Sequence, residues 1–76
     1  MDKYTQSAMS VERAIKIKGG VKSLAQAVGV SYQTVLNWKN GRFLVSAINC
    51  QKIEQATDGQ VKAEDILPHY PWNELR

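Results

Sequence analysis

The stretch from residue 21 to residue 41, VKSLAQAVGVSYQTVLNWKNG, constrains the fold more than any other part of this chain. Leu24, Ala25 and Val28 are spaced three and four residues apart, so they share one face of a helix. Gly29 interrupts the pattern, and glycine is the usual residue just past the C-terminus of a helix because it takes positive φ at little cost. The stretch therefore predicts two short helices joined by a tight turn.

The second helix of this pair is predicted to follow Ser31, whose hydroxyl can accept a hydrogen bond from a free backbone N–H group. We expect Val35 and Trp38 to be buried and Val30 to fill the angle between the helices. Most other side chains are uncharged and can hydrogen-bond, whereas a solvated helix more often carries Glu and Lys. The expected outward positions are Tyr32, Gln33, Leu36, Asn37 and Asn40, with Thr34 on the flank. Such amide groups suit DNA base edges, since Gln and Asn can pair with adenine at two atoms.

These positions resemble the helix-turn-helix of Cro and phage repressors. The matching residues are Leu24, Ala25, Gly29, Val30, Val35 and Trp38. A small side chain is expected at Ala25 because the two helices of such motifs cross closely there. The wider stretch, from Gly19-Gly20 through WKNGR and CQKIEQATDGQV to DILP, is similar to the short prophage Cro-like proteins also described as YdaS-type antitoxins. Together the two resemblances cover most of the chain.

The helical pattern and the resemblance predict an all-α fold, a compact bundle of four to five short helices that is lambda-repressor-like. A length of 76 residues allows one domain. We expect three parts: a flexible N-terminal arm over residues 1–9, a helix-turn-helix DNA-binding domain over residues 10–67, and a C-terminal tail over residues 68–76. The expected N-cap of the first helix, residues 11–18, is Ser10.

The C-terminal half is predicted to hold a fourth helix over about residues 47–57, capped by Ser46. Its expected buried residues are Ile48, Ile53 and Ala56, with Cys50 or Asn49 alongside. A last short helix is expected over residues 63–67. The tail, HYPWNELR, either folds back over its own core or packs on a second subunit, and we favour a dimer contact.

Charge is distributed unevenly along the chain. Residues 1–42 carry seven Lys/Arg against two Asp/Glu, a balance of +5, whereas residues 43–76 carry three against five, a balance of −2. The positive half contains the predicted helix-turn-helix, as expected of a surface that meets a polyanion. The residues expected to contact DNA phosphates are Lys22, Thr34, Lys39, Asn40 and Arg42.

Several functional classes are disfavoured. No segment approaches the ~20 consecutive apolar residues of a membrane span, and the N-terminus lacks the apolar core of a secretory signal. The single Cys50 excludes an internal disulfide, and no Cys/His cluster indicates a metal site. We therefore expect a cytoplasmic protein of a bacterium or phage, associated with the nucleoid when bound, with no catalytic residues, metal or cofactor.

Two functions remain as hypotheses. The first is a sequence-specific double-stranded DNA-binding transcriptional regulator, a Cro-like prophage repressor that occupies operator DNA; activation is a variant that the same surface permits. The residues expected to read bases are Ser31, Tyr32, Gln33, Leu36 and Asn37. The resemblance implies a homodimer on a two-fold symmetric operator with half-sites ~34 Å apart. The second is an antitoxin or interaction module whose tail binds a toxin or other protein.

Overall fold

The computed structural model describes residues 2–75, and within that range it contains six helices and no strand. The helices are α1 (Lys3–Lys18), α2 (Val21–Val28), α3 (Tyr32–Lys39), α4 (Ala47–Ala56), α5 (Ala63–Ile66) and α6 (Trp72–Leu75). The last two are single turns. The predicted bundle of four to five helices therefore gains one further short helix, α6, in the tail. The all-α prediction is confirmed.

The first helix begins much earlier than the sequence pattern suggested. Asp2 is its N-cap and accepts a 2.8 Å hydrogen bond from the backbone N–H of Thr5. The predicted cap at Ser10 is therefore wrong, and residues 3–9 are helical instead of forming a flexible arm. Ser7 and Ser10 face inward in register with the apolar residues that follow, so two small hydroxyl residues continue the buried stripe. Met1 lies outside the described residues.

Ser10 ties α1 to the C-terminal half of the chain. Its hydroxyl donates a 2.9 Å hydrogen bond to the carbonyl oxygen of Asp65. The amide of Gln6, one turn earlier, reaches the same oxygen at 3.4 Å. Gln6, predicted to lie in the arm, and Ser10, predicted to be an N-cap, thus fix α1 against α5 through hydrogen bonds to the backbone.

The helix-turn-helix forms as predicted. Gly29 adopts the left-handed conformation at φ 84°, and its N–H donates to the carbonyl oxygen of Ala25 at 2.8 Å. Ser31 caps α3 by accepting a 3.1 Å bond from the N–H of Thr34. Val30 is partly buried and packs against the core between α2 and α3, as expected. These caps set the angle at which α3 leaves α2.

A single core joins the helices. Helix α1 packs against α2, α3 and α5, while α4 packs against α2 and α5. The buried apolar residues come from all six helices and from the connections that flank α4. They are Val11, Ala14, Ile15, Leu24, Ala25, Val28, Val35, Trp38, Val45, Cys50, Ile53, Val61, Ala63, Ile66 and Trp72. The buried face predicted for the helix-turn-helix is confirmed.

Helix α4 is rotated relative to the prediction. Ser46 is its N-cap, as expected, and accepts a 3.3 Å bond from the N–H of Asn49. Ile48, however, is 65% exposed, so its assignment to the buried stripe is wrong. Cys50, Ile53 and Thr57 face inward instead. Their spacing of three and four residues defines the buried face, and Ile48 lies out of phase with it.

The C-terminal tail folds back through Trp72. The indole is 4% exposed, and its Nε1–H donates a 2.7 Å hydrogen bond to the carbonyl oxygen of Leu67. The Tyr70 and Trp72 rings lie 4.9 Å apart at a tilt of 50°, with Tyr70 39% exposed. Of the two readings of the tail, the intrachain one holds for Trp72. The dimer contact stays a prediction, and Arg76 lies outside the described residues.

Candidate nucleic-acid interface

Helix α3 is anchored by its inner face. Val35 and Trp38 are buried in the core, and both ends of the helix are capped. The opposite face is presented outward, with Tyr32 54% exposed and Gln33 exposed beside it. Leu36 and Asn37 are partly buried on the same side. The predicted base-reading residues on the helix therefore lie together on an accessible face, with Ser31 exposed at its start.

Two hydroxyl groups meet at the N-terminal end of α3. The Oγ of Ser31 lies 2.8 Å from Oγ1 of Thr34 and also accepts the bond from the Thr34 N–H. One hydroxyl hydrogen bridges the two oxygens, so the other hydroxyl hydrogen is left to donate outward. A phosphate oxygen accepts such a donor, which suits the position of these residues at a helix N-terminus.

Two amide side chains on this face are joined directly. The Nε2 of Gln33 donates a 3.1 Å hydrogen bond to Oδ1 of Asn37, one helical turn away. Residues four apart on a helix are neighbours, so this contact is short and local. The amides form an ordered pair in the middle of the outward face.

The loop after α3 carries Arg42 and folds back against the end of the helix. The N–H of Arg42 donates to the carbonyl oxygen of Asn37 at 2.9 Å, and Gly41 makes the turn at φ 72°. Asn40 is the C-cap of α3, and its own N–H donates to the carbonyl oxygen of Leu36. Backbone hydrogen bonds therefore hold Asn40 and Arg42 against the last turn of α3.

Three of the predicted phosphate contacts are exposed cations. Within residues 2–75, the side chains of Lys22, Lys39 and Arg42 make no hydrogen bond or ion pair. Lys22 lies in the first turn of α2, whose N-cap Gly20 supplies no side-chain acceptor. The N–H groups of that turn are thus open to an anion, and the positive end of the helix dipole favours one.

Acidic residues are absent from the part of the sequence that contains the helix-turn-helix. Residues 13–53 contain no Asp or Glu but seven Lys or Arg, so the whole helix-turn-helix and its flanks lack negative charge. Not every cation in that stretch faces the same way: Arg13 donates a 3.0 Å bond to the carbonyl oxygen of Gln60. Sequence analysis also missed the exposed apolar side chains of Phe43 and Ile48, which follow Arg42. For Ile48, the signal was its phase against Cys50 and Ile53.

The one cysteine, Cys50, is buried in the core. Burial raises the pKa of the Cys50 thiol to about 12, so the group stays protonated at neutral pH and packs as a core side chain. No group of three His, Cys, Asp or Glu residues between positions 2 and 75 could hold a metal ion. Over the same range, no helix is long and apolar enough to cross a membrane.

Comparison with known proteins identifies the relatives of this chain. The family described as "Bacterial toxin YdaS" matches residues 11–75. The Escherichia coli (strain K12) protein named "Putative transcriptional regulator YdaS" is 36% identical over 67 residues, which are 88% of this chain and 68% of that protein. The "Regulatory protein cro" of Pseudomonas phage D3 is 35% identical over 51 residues, 67% of this chain and 70% of the relative. No solved structure matches significantly. The chain belongs to the YdaS family, with further similarity to a phage Cro protein.

Proposed function

We propose that this protein is a sequence-specific double-stranded DNA-binding transcriptional regulator, a Cro-like prophage repressor that occupies operator DNA. One observation carries the proposal above the others. The outward face of α3 presents uncharged side chains, most of which can hydrogen-bond, and exposed cations lie in the first turn of α2 (Lys22), the last turn of α3 (Lys39) and the loop after it (Arg42). The names of two relatives, a transcriptional regulator and a Cro protein, support the same function.

In the proposed complex, α3 lies in the major groove, which is about 12 Å wide and admits one helix. Gln33 and Asn37 meet base edges, because amide groups supply donors and acceptors that complement those of the bases in the major groove. Leu36 offers an apolar contact to a thymine methyl group, while Tyr32 and Ser31 contact a base or the adjacent backbone. The anchoring of Val35 and Trp38 in the core keeps these groups in a fixed register.

Phosphate contacts set the orientation of α3 and supply most of the non-specific affinity. Lys22 and the open N–H groups of α2 suit one phosphate, and Lys39 and Arg42 suit another at the far end of α3. Thr34, in the first turn of α3, and Asn40, its C-cap, add uncharged donors. A protein with this division of roles loses affinity steeply as salt rises, because it displaces counterions from the DNA.

Repression follows if the bound site overlaps a promoter and excludes the polymerase. We further propose that two copies bind a two-fold symmetric operator, with half-sites one turn of DNA (~34 Å) apart. This places the working protein at the nucleoid of a bacterial cell that carries the prophage. No catalytic step, metal or cofactor enters the mechanism.

The experiment is selection of bound duplexes from a random DNA pool, followed by titration of the selected duplex at two salt concentrations. We expect a two-fold symmetric site bound about 10³-fold or more above random DNA. A pool without any preferred sequence, bound weakly and with strong salt dependence, would refute sequence-specific regulation. Binding to a duplex that contains a single half-site would refute the symmetric dimer but would still support sequence-specific regulation.

A second proposal rests on the family, which is described as a bacterial toxin. In this reading the protein is one member of a toxin–antitoxin pair, either the antitoxin or the toxin, and binds a protein partner. Tyr70, half-exposed between Pro68 and Pro71, is the candidate contact. Deleting residues 69–76 would not test it, because the deletion removes Trp72 from the core. Tyr70→Ala is the appropriate variant.

The two proposals give different results in cells. Expression of the protein alone should leave growth unchanged and lower transcription from its own operator if it is a repressor. A toxin would arrest growth unless a partner is expressed with it, and an antitoxin would be encoded beside a gene whose product does so. Loss of partner binding in Tyr70→Ala, with DNA binding intact, would support the second proposal.

A further inference from the structure

The hydrogen bond between Gln33 and Asn37 is polarised. Each amide carries two donor hydrogens on nitrogen and an acceptor oxygen. The bond from Gln33 Nε2 to Asn37 Oδ1 uses one donor of Gln33 and one acceptor position of Asn37. Gln33 therefore keeps an uncommitted Oε1 and one hydrogen, while Asn37 keeps both hydrogens of Nδ2. The two side chains present different patterns to whatever faces α3.

Asn37 is the better-fixed member of the pair. Its side chain is shorter than that of Gln33 and is partly buried. Gln33 is exposed and has one more rotatable bond, so it loses more rotamer freedom when it is ordered. The bond to Asn37 removes part of that freedom before any ligand arrives, which reduces the ordering that binding requires.

We infer that Asn37 is a positioning residue that holds the Gln33 carboxamide in place for an adenine, and that the Asn37 amino group itself faces an acceptor on a neighbouring base pair. The inference rests on the DNA-binding function proposed above. In the major groove adenine presents the N7 acceptor and the N6 donor, which complement the remaining N–H and the Oε1 of Gln33. Guanine N7 and O6 or thymine O4 complement the Asn37 amino group.

Hydrogen bonding within the pair strengthens both contacts. An amide that donates through its nitrogen becomes a better acceptor at its oxygen, and one that accepts at oxygen becomes a better donor at nitrogen. Gln33 is thus tuned toward the adenine N6 donor and Asn37 toward a base acceptor. A pair joined in the opposite sense would be tuned toward the opposite pattern, so the sense of the bond has a measurable consequence.

The test uses the full 76-residue protein and the duplex recovered by selection. Each adenine of the duplex is replaced in turn by 7-deazaadenine, which lacks the N7 acceptor, or by purine, which lacks the N6 amino group. At one adenine per half-site, each analogue should weaken wild-type binding. The loss should not exceed that of a whole bidentate contact, which is about 5- to 150-fold. Gln33→Ala should bind the natural and modified duplexes equally. An unchanged wild-type affinity with every analogue would overturn the assignment of Gln33 to adenine.

Two variants of Asn37 separate positioning from helix stability. Asn37→Ala removes the acceptor, and we expect the sensitivity to both analogues to fall most of the way to the Gln33→Ala level. Asn37→Asp keeps an acceptor for Gln33 Nε2, so the sensitivity should persist even though the added charge lowers affinity for all DNA. A merely structural contact would change melting temperature without changing the ratio between natural and modified duplexes. Wild-type sensitivity in Asn37→Ala would overturn the positioning role.

The outcomes also separate this inference from the proposed function. If no duplex is preferred over random DNA, both are overturned. If a duplex is preferred and Gln33→Ala loses the adenine preference while Asn37→Ala retains it, only the role of Asn37 is overturned. The base analogues alter the DNA alone, so their result stands even where a protein variant folds poorly.

Discussion

Trp72 offers the sharpest test of how the tail contributes to the domain. Its indole is 4% exposed, and its Nε1–H bonds the carbonyl oxygen of Leu67 at 2.7 Å. Replacing a buried Trp by Ala costs about 3–5 kcal/mol, since apolar burial is lost and a cavity remains. A chain of this length has a free energy of unfolding of about 4–11 kcal/mol. Trp72→Ala should therefore remove a large share of the stability.

Urea denaturation followed by far-UV circular dichroism measures the effect as a change in the unfolding free energy. Trp72→Phe is the matched control, because it keeps an aromatic ring and loses the Nε1 donor. That change should cost about 1–2 kcal/mol, from the lost Nε1 hydrogen bond and the space left by the smaller ring, because the Leu67 carbonyl oxygen keeps the N–H of Tyr70 as a donor at 3.3 Å. A loss below about 0.5 kcal/mol in Trp72→Ala would fall within the range of ordinary surface substitutions. Such a result would refute the intrachain packing of the tail.

Three further predictions concern separate parts of the molecule. Arg42→Ala should weaken binding to all duplexes alike and reduce the salt slope by about one unit; Lys62→Ala, in the acidic half, should leave the slope unchanged, and equal slopes for both variants would contradict a phosphate contact. Hydrogen bonds from Thr5 lower the pKa of the Asp2 carboxyl in the folded protein. The cap therefore stabilises α1 fully at pH values above the pKa of Asp2 in the unfolded chain, and this stabilisation is lost as the pH falls through the lower pKa of the folded protein. Thermal melts should accordingly show a pH dependence below about pH 4 that Asp2→Asn reduces, and an unchanged dependence would argue against the cap. Burial and a pKa raised to about 12 should keep Cys50 unreactive toward iodoacetamide in the native protein; labelling as fast as in urea would contradict its burial.

The helix-turn-helix could be predicted from the sequence because the features that determine it are local. Gly29 and Ser31 determine the turn and the cap through backbone conformation and a hydrogen bond three residues away. Val35 and Trp38 then define the buried face by their spacing alone. Nothing distant in the chain is needed to predict these features, so the outward residues of α3 could be assigned before the structure was known.

The errors arose where tertiary contacts override local pattern. Ser10 looks like an N-cap, yet its hydroxyl finds a partner 55 residues away in Asp65, which a local rule cannot foresee. Ser7 is buried by the same helix packing. Ile48 is a large apolar residue whose exposure depends on the rotation of α4 about its axis. Side-chain pairing within the site, such as that of Gln33 with Asn37, likewise depends on the rotamers of the folded protein, because spacing permits the bond without imposing it.

The most direct measurement of the central claim is the affinity of wild-type protein and Gln33→Ala for a selected duplex and for an unrelated duplex of equal length. The outward face of α3 is proposed to read sequence, so the substitution should cost about 1–3 kcal/mol on the selected duplex and almost nothing on the unrelated one. Equal losses on both duplexes would mean that Gln33 contributes only general contact. No loss on either would mean that α3 does not face the bases.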